Sequence, residues 1–266
     1  MKKSRLLPLV AFVVGLPAGV FATPSTELWT AGTTDIQAFG IGHLDIDDYF
    51  HPANSSSEAQ NVGSASEVSA FPTDVGYTVG ILPFSKVNME IGLDFMGAGS
   101  FPLLGNTKLA LIEDAFFKGQ PAIAVGLFDV GVKTDATDLD IRYLNIGKTI
   151  PIIGRLFVGG YEGNKTIRGF NADGTVAGDN ADQGITLAWD RSFLPAKSAS
   201  GTDYTRLTVC ADVATGDNAY GGGGPGVSWN FNENICVLAG PIFYNDRNIN
   251  GKWKITTQLD VNFKTW

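Results

Sequence analysis

The stretch WKITTQLDVNFKTW, Trp253 to Trp266, changes polarity at nearly every step. Ile255, Thr257, Leu259, Val261 and Phe263 share one parity; Lys254, Thr256, Gln258, Asp260, Asn262 and Lys264 share the other. Successive side chains of a β-strand point to opposite faces, so this segment is a ribbon with one apolar and one wet side. Gln258 is expected on the wet side, where even a bulkier charged residue is tolerated. Five further segments repeat the pattern. Val87–Phe95 sets Val87, Met89, Ile91, Leu93 and Phe95 against Asn88, Glu90, Gly92 and Asp94, and 74–82, 184–192, 206–213 and 227–232 alternate in the same way.

Extending the reading gives about twelve strands, near 34–47, 73–82, 87–97, 106–116, 121–132, 138–149, 154–164, 183–193, 204–214, 225–233, 236–245 and 252–264. The faces of 106–116, 121–132 and 138–149 are blurred, as bulges or partly apolar inner positions would make them. Tight connections at Pro83–Lys86, Lys118–Gln120, Ile150–Gly154 and Asn232–Ile235 alternate with long ones at 48–72, 97–106, 164–182 and 214–224. The 193–204 connection is too long for its place in that alternation. Asn250-Gly251 predicts a type I′ hairpin. Gly221–Gly226 lacks the Lys-Ser/Thr of a phosphate loop and reads as a hairpin loop. Aromatics gather near strand ends, among them Trp29, Tyr49, Phe84, Phe116, Phe117, Tyr220, Phe243, Tyr244 and Trp266.

The N-terminus reads as an export signal over residues 1–22: a basic head (Lys2, Lys3, Arg5), an apolar stretch, and a small-x-small site at Val20-Phe21-Ala22. Its removal takes three positive charges and shifts the formal net charge from −8 to −11. Such an acidic chain lacks the basic footprint of a nucleic-acid binder. After the signal there is no apolar run long enough for a helical span, so membrane residence requires a closed barrel. Abundant glycine (33 residues), 11% aromatic and 17% charged residues suit a turn-rich all-β chain. Cys210 and Cys236 leave a disulfide and two free thiols both open, with free thiols favoured, and form no metal motif.

The signal, the alternating strands and the aromatic terminal strand together resemble Gram-negative outer-membrane β-barrel proteins over essentially the whole mature chain. The resemblance implies an all-β fold: a single antiparallel up-and-down transmembrane β-barrel of about twelve strands, residues 23–266, after a cleaved signal peptide. It implies residence in the outer membrane, contact with outer-membrane lipid and lipopolysaccharide, and handling by barrel-assembly machinery during insertion. It names no subfamily.

Polar parity assigns Asp45, Asp74, Glu90, Asp94, Asp140, Arg142, Glu162, Asp190, Arg206, Asp212 and Asp260 to the lumen as a pore wall. The set leans acidic, and rings of carboxylates favour cations. His43 shares a parity with Asp45 and Asp47, which allows a cation site, although a solvated acidic wall is the plainer reading. The expected function is a porin-like channel for passive diffusion of small neutral or cationic solutes, without a cofactor and without enzymatic activity. A barrel of this width lies between filled and open, and no extra plugging segment is evident. Two alternatives are a closed structural or adhesion barrel with external binding loops, and an outer-membrane hydrolase using His51 and rim carboxylates; Ser55–Ser57 lie in a low-complexity loop next to His51. Neither a nucleophile–base pair nor a calcium-loop spacing around Asp173, Asp179 and Asp182 supports catalysis or metal binding.

Overall fold

Twelve antiparallel strands close into one barrel in the computed structural model, which describes residues 26–50, 74–96, 102–169, 181–251 and 253–266. The strands are β1 (Ile41–Phe50), β2 (Asp74–Gly80), β3 (Val87–Met96), β4 (Leu103–Leu111), β5 (Ala122–Val130), β6 (Ile141–Ile150), β7 (Gly154–Glu162), β8 (Gln183–Lys197), β9 (Asp203–Ala214), β10 (Gly222–Asn230), β11 (Ile235–Tyr244) and β12 (Trp253–Lys264). Each pairs with its neighbours in the chain, and β1 pairs with β12 to close the ring, with Asp45 opposite Asp260 and Ile46 opposite Leu259. Closure removes the free edges that an open sheet would expose. The signal-peptide expectation falls on residues outside those described. No described helix is long and apolar enough to cross a membrane.

The alternation read from the sequence is the alternation of burial. In β3, Asn88, Glu90 and Asp94 are buried, whereas Ile91, Leu93 and Phe95 are exposed on the outer surface. In β12, Thr256, Gln258, Asp260 and Asn262 are buried, while Leu259 and Phe263 are exposed. Leu127, Leu144, Val158, Leu187 and Val227 extend the exposed apolar set around the barrel. Hydrocarbon is the solvent that suits such a face, since exposed apolar surface in water is unfavourable by about 25 cal/mol per Å². Both sources of blurring occur in β4 and β5. The register slips between Gly105 and Thr107, and the inner positions Leu104, Ala110, Ala122 and Ala124 are apolar.

One rim carries the turns joining β2–β3, β4–β5, β6–β7, β8–β9 and β10–β11, and the other carries the remaining connections. β8 and β9 run longer than expected, so their connection shrinks to 198–202 and the apparent exception disappears. The β4–β5 connection is correspondingly longer, at 112–121. There Asp114 accepts from the Gly119 amide, which holds its carboxyl below the usual carboxylate range. The β11–β12 connection is not a type I′ hairpin. It contains a short helix, α1 (Arg247–Asn250), and Gly251 takes a positive φ of 81° whereas Asn250 does not. The glycine run does not form a loop either: Gly222–Gly226 opens β10. A Cβ at Gly223 or Gly224 would run into the carbonyls of Asp212 and Pro241 on the flanking strands. Exposed rings mark both rims, with Phe84, Phe116, Phe117 and Trp266 at the short-turn end and Phe243 stacked on Trp253 at the other.

The strand expected at 34–47 begins only at Ile41. Residues 26–37 run through the inside of the barrel, and the chain turns into β1 at Gly40, whose φ is 74°. At that junction Thr265 donates its amide to the Gly40 carbonyl at 2.8 Å, and Phe39 meets Trp266 edge-on at 5.8 Å.

Candidate functional site: an occupied lumen and an acid-lined chamber

A chain inside a barrel must find partners on the wall for every backbone donor and acceptor that water would otherwise serve. Residues 26–37 find backbone partners among ionisable and amide side chains of five strands, β3, β4, β6, β9 and β12. Asp212 of β9 is the main anchor. Its Oδ2 accepts the backbone N–H groups of Leu28 (3.2 Å), Trp29 (2.9 Å) and Thr30 (2.7 Å), together with the Thr30 hydroxyl (3.0 Å). Successive amides converging on one anionic oxygen form a compact charge-assisted contact. Asn145 of β6 donates to the carbonyls of Ala31 (2.6 Å) and Thr33 (3.2 Å), and Thr186 of β8 holds the Asn145 carbonyl oxygen at 3.1 Å. Gln258 of β12 donates to the Leu28 carbonyl at 2.8 Å.

Charge takes over toward the short-turn rim. Arg155 of β7 grips Asp190 of β8 through two nitrogens, at 2.9 and 2.6 Å, and reaches Asp35 of the lumenal segment at 2.5 Å. Lys108 of β4 is 1% exposed; it donates to the Asp35 carbonyl at 2.8 Å and pairs with Glu90 of β3 at 3.5 Å. Glu90 in turn accepts the Gln37 amide at 2.7 Å. Small wall residues make the space. A Cβ on Gly226 would lie 2.8 Å from Leu28, and one on Gly147 would lie 2.7 Å from the Thr34 hydroxyl.

The barrel therefore has an internal segment that the sequence reading did not detect. Trp29, expected at a membrane interface, lies inside. Its indole donates to the Tyr220 carbonyl at 2.8 Å, and its ring meets Tyr49 and Tyr244 edge-on at 5.6 and 5.2 Å. Tyr49, Tyr220 and Tyr244 are buried there with it.

Above this segment, toward the long-connection rim, is a chamber of about 230 Å³. Five carboxylates line it: Asp45, Asp47, Asp74, Asp94 and Asp129. Trp29, Phe128, Leu139, Ile141 and Tyr220 form its apolar wall. His43 is fully buried rather than part of a solvated wall; its Nδ1 meets Asn262 at 2.8 Å, and its Nε2 lies 3.4 Å from Asp260 and 3.9 Å from Asp45. The imidazole thus sits between two aspartates that face one another across the closing strands, where like charges repel. Among the described residues no three His, Cys, Asp or Glu side chains converge as a metal site.

Of the residues assigned to the pore wall, Glu90, Asp94, Asp190, Asp212 and Asp260 are buried, and Asp45 and Asp74 are partly buried beside the chamber. The other four stand elsewhere. Arg142 and Glu162 are each 57% exposed and pair with one another at 3.6 Å, because the buried positions of β6 are Ile141, Tyr143 and Asn145. Asp140 precedes β6 and ties outer connections together, accepting from the Gly131 amide and Asn164. Arg206 is exposed near the short-turn rim, beside an irregularity where Leu194 takes a positive φ of 57°. Cys210 and Cys236 are free and buried, and the Cys236 thiol donates to Asp260 at 3.0 Å. His51 and Ser55–Ser57 lie outside the described residues, as does most of the acidic stretch around Asp173. At its end, Arg168 bonds Asp182 at 2.7 Å and holds that carboxyl below the usual carboxylate range.

Fold and lumen together define a closed twelve-stranded antiparallel barrel, apolar on its outer face, with part of its own chain inside. No family profile and no curated protein matches the sequence. Among solved structures, a mutant of Rh. blastica porin is similar over 90% of this chain and 67% of its own, at 14% identity and a TM-score of 0.41. A triple mutant of Rhodopseudomonas blastica porin is similar over 90% and 66%, at 15% identity and a TM-score of 0.40.

Proposed function

We propose that the protein lies in the outer membrane of a Gram-negative bacterium as a narrow, porin-like channel for passive diffusion of small neutral or cationic solutes, with residues 26–37 as its constriction. The observation that carries this reading is a closed barrel that is apolar outside and rich in carboxylates inside. In lipid, only a helix or a closed barrel satisfies all backbone hydrogen bonds, and an outer face set with leucine, isoleucine and valine suits hydrocarbon. Carboxylates in a low-dielectric enclosure attract cations and repel anions. The proposed wall comprises Asp45, Asp74, Glu90, Asp94, Asp190, Asp212 and Asp260. About eight strands are filled by side chains and sixteen leave an open channel, so twelve have room for one extended segment and little besides. Passage then requires the segment to shift within the lumen. Outer-membrane lipid and lipopolysaccharide, with the assembly machinery during insertion, are the partners this reading carries, and it assigns no catalysis.

Planar-bilayer recording of the folded full chain tests it. Small cation-selective steps that grow when the Asp212 anchor is replaced by Ala support the channel. Silence from both proteins, with the barrel intact by heat-modifiable electrophoresis, refutes it in favour of a closed structural barrel.

A further inference from the structure

The chamber holds unsatisfied polar groups that the channel reading leaves unused. Asp47 is 8% exposed and lines the chamber, and its Oδ1 has no hydrogen-bond partner; its Oδ2 has only the Tyr49 hydroxyl at 3.4 Å. Asp74 Oδ1, on the same wall, is likewise buried without a hydrogen-bond partner. Buried carboxylate oxygens are normally hydrogen-bonded or paired with a cation. Two basic side chains also line the chamber, and neither is ion-paired with Asp47 or Asp74: His43 faces Asn262, Asp45 and Asp260, and Lys254 lies over the Tyr244 ring at 5.7 Å.

Four classes of solute can be compared against these walls. An anion meets a surplus of negative charge. A neutral apolar solute leaves the aspartate oxygens unsatisfied. A bare inorganic cation uses one wall and leaves the chamber-facing apolar surface of Trp29, Phe128 and Tyr220 unused. An organic cation serves both sides, since its charged head donates to Asp47 and Asp74 while its body packs against the rings, which also attract positive charge through their faces.

We propose that the chamber is a binding site for a small organic ammonium ion carrying an apolar or aromatic arm. The inference deepens the channel reading by naming a solute class, and rests on it for the solute's route to the chamber.

Calorimetric titration of the folded full chain in detergent tests it, with phenethylammonium chloride, 2-phenylethanol and ammonium chloride as probes. Phenethylammonium is expected to saturate a single site, with the alcohol and the ammonium ion each weaker by roughly tenfold or more. Asp47→Asn combined with Asp74→Asn should weaken it by a similar factor; if that protein does not fold, Asp129→Asn should do so to a smaller extent. Equal binding of the alcohol, equal binding of ammonium, or full affinity in the folded variants overturns the proposal. Bilayer recording separates the two readings. Saturable binding with silent bilayers keeps the site and removes the channel, whereas conductance without saturable binding removes the site alone.

Discussion

Replacing Asp212 with Ala should release the lumenal segment and leave the barrel standing. One carboxylate oxygen accepts three consecutive backbone amides and a hydroxyl, and Leu28 and Thr30 are 0% exposed, so no bulk water replaces it in place. Hydrogen bonds to a charged group contribute about 1.5–3 kcal/mol each. Donors that share one oxygen fall at the low end, which puts the three amides at roughly 4–5 kcal/mol together. Water entering the vacated volume recovers part, leaving a net loss of about 2–4 kcal/mol in docking. That multiplies the undocked population roughly 30- to 700-fold. Asp212→Asn keeps a neutral acceptor and should fall between. Hydrogen exchange in nanodiscs reads the effect directly: amides 28–30 should lose protection by that factor while those of β3, β6 and β12 keep theirs. Unchanged protection at 28–30 would refute the anchoring role. Equal loss in the strands would show that Asp212 supports the wall and not the segment.

Leu259 is exposed on the outer face, so Leu259→Arg should destabilise the barrel by ~2–4 kcal/mol if the residue sits near the bilayer midplane, measured by urea titration in lipid vesicles. Gln258→Arg, which an open wet lumen would tolerate, should also destabilise, because Gln258 is fully buried against Leu28; equal stability of that variant and wild type contradicts the packed lumen. Arg155→Gln removes the shared partner of Asp35 and Asp190 and should cost about 3 kcal/mol or somewhat less, since the side chain is one-third exposed. A double-mutant cycle with Asp35→Asn checks this by showing coupling. At the outer rim, Asp182 has its carboxyl lowered by Arg168, so this contact stabilises above the ordinary carboxylate range and is lost as pH falls through the lowered value. Arg168→Gln should return the Asp182 carboxyl toward its ordinary range in a carbon-13 NMR titration, and an unmoved titration would remove the ion pair as cause.

The strands were legible because a period-two pattern needs only the polarity of each side chain. It located all twelve, most of them to within a few residues, and in β3 and β12 it assigned the faces position by position. Residues 26–37 were illegible for the converse reason. A segment surrounded by wall on every side has no wet face and no lipid face, so Thr30, Ala31, Gly32, Thr33 and Thr34 carry no period, and the start of the segment's neighbour β1 was drawn too early. The inner partners Lys108 and Arg155 were missed because polarity locates a charge on a face without showing what it reaches. Arg142 and Glu162 misled in the opposite way. They lie at the long-connection end of β6 and β7, where the outer face carries charged as well as apolar side chains, and polarity there no longer separates inside from outside. His43 shows a third limit: its spacing with Asp45 and Asp47 suggested a solvated wall, whereas pairing across β1 and β12 buries it between Asp45 and Asp260.

The junction at Gly40 has a consequence for assembly. The last residues of the chain touch the point where the internal segment leaves the lumen, through the Thr265 amide and the Trp266 ring. Zipping the first strand to the last therefore fixes the foot of the segment in the same event. Until the final strand pairs, the wall is unsealed and the foot of the segment lacks its contacts to Thr265 and Trp266.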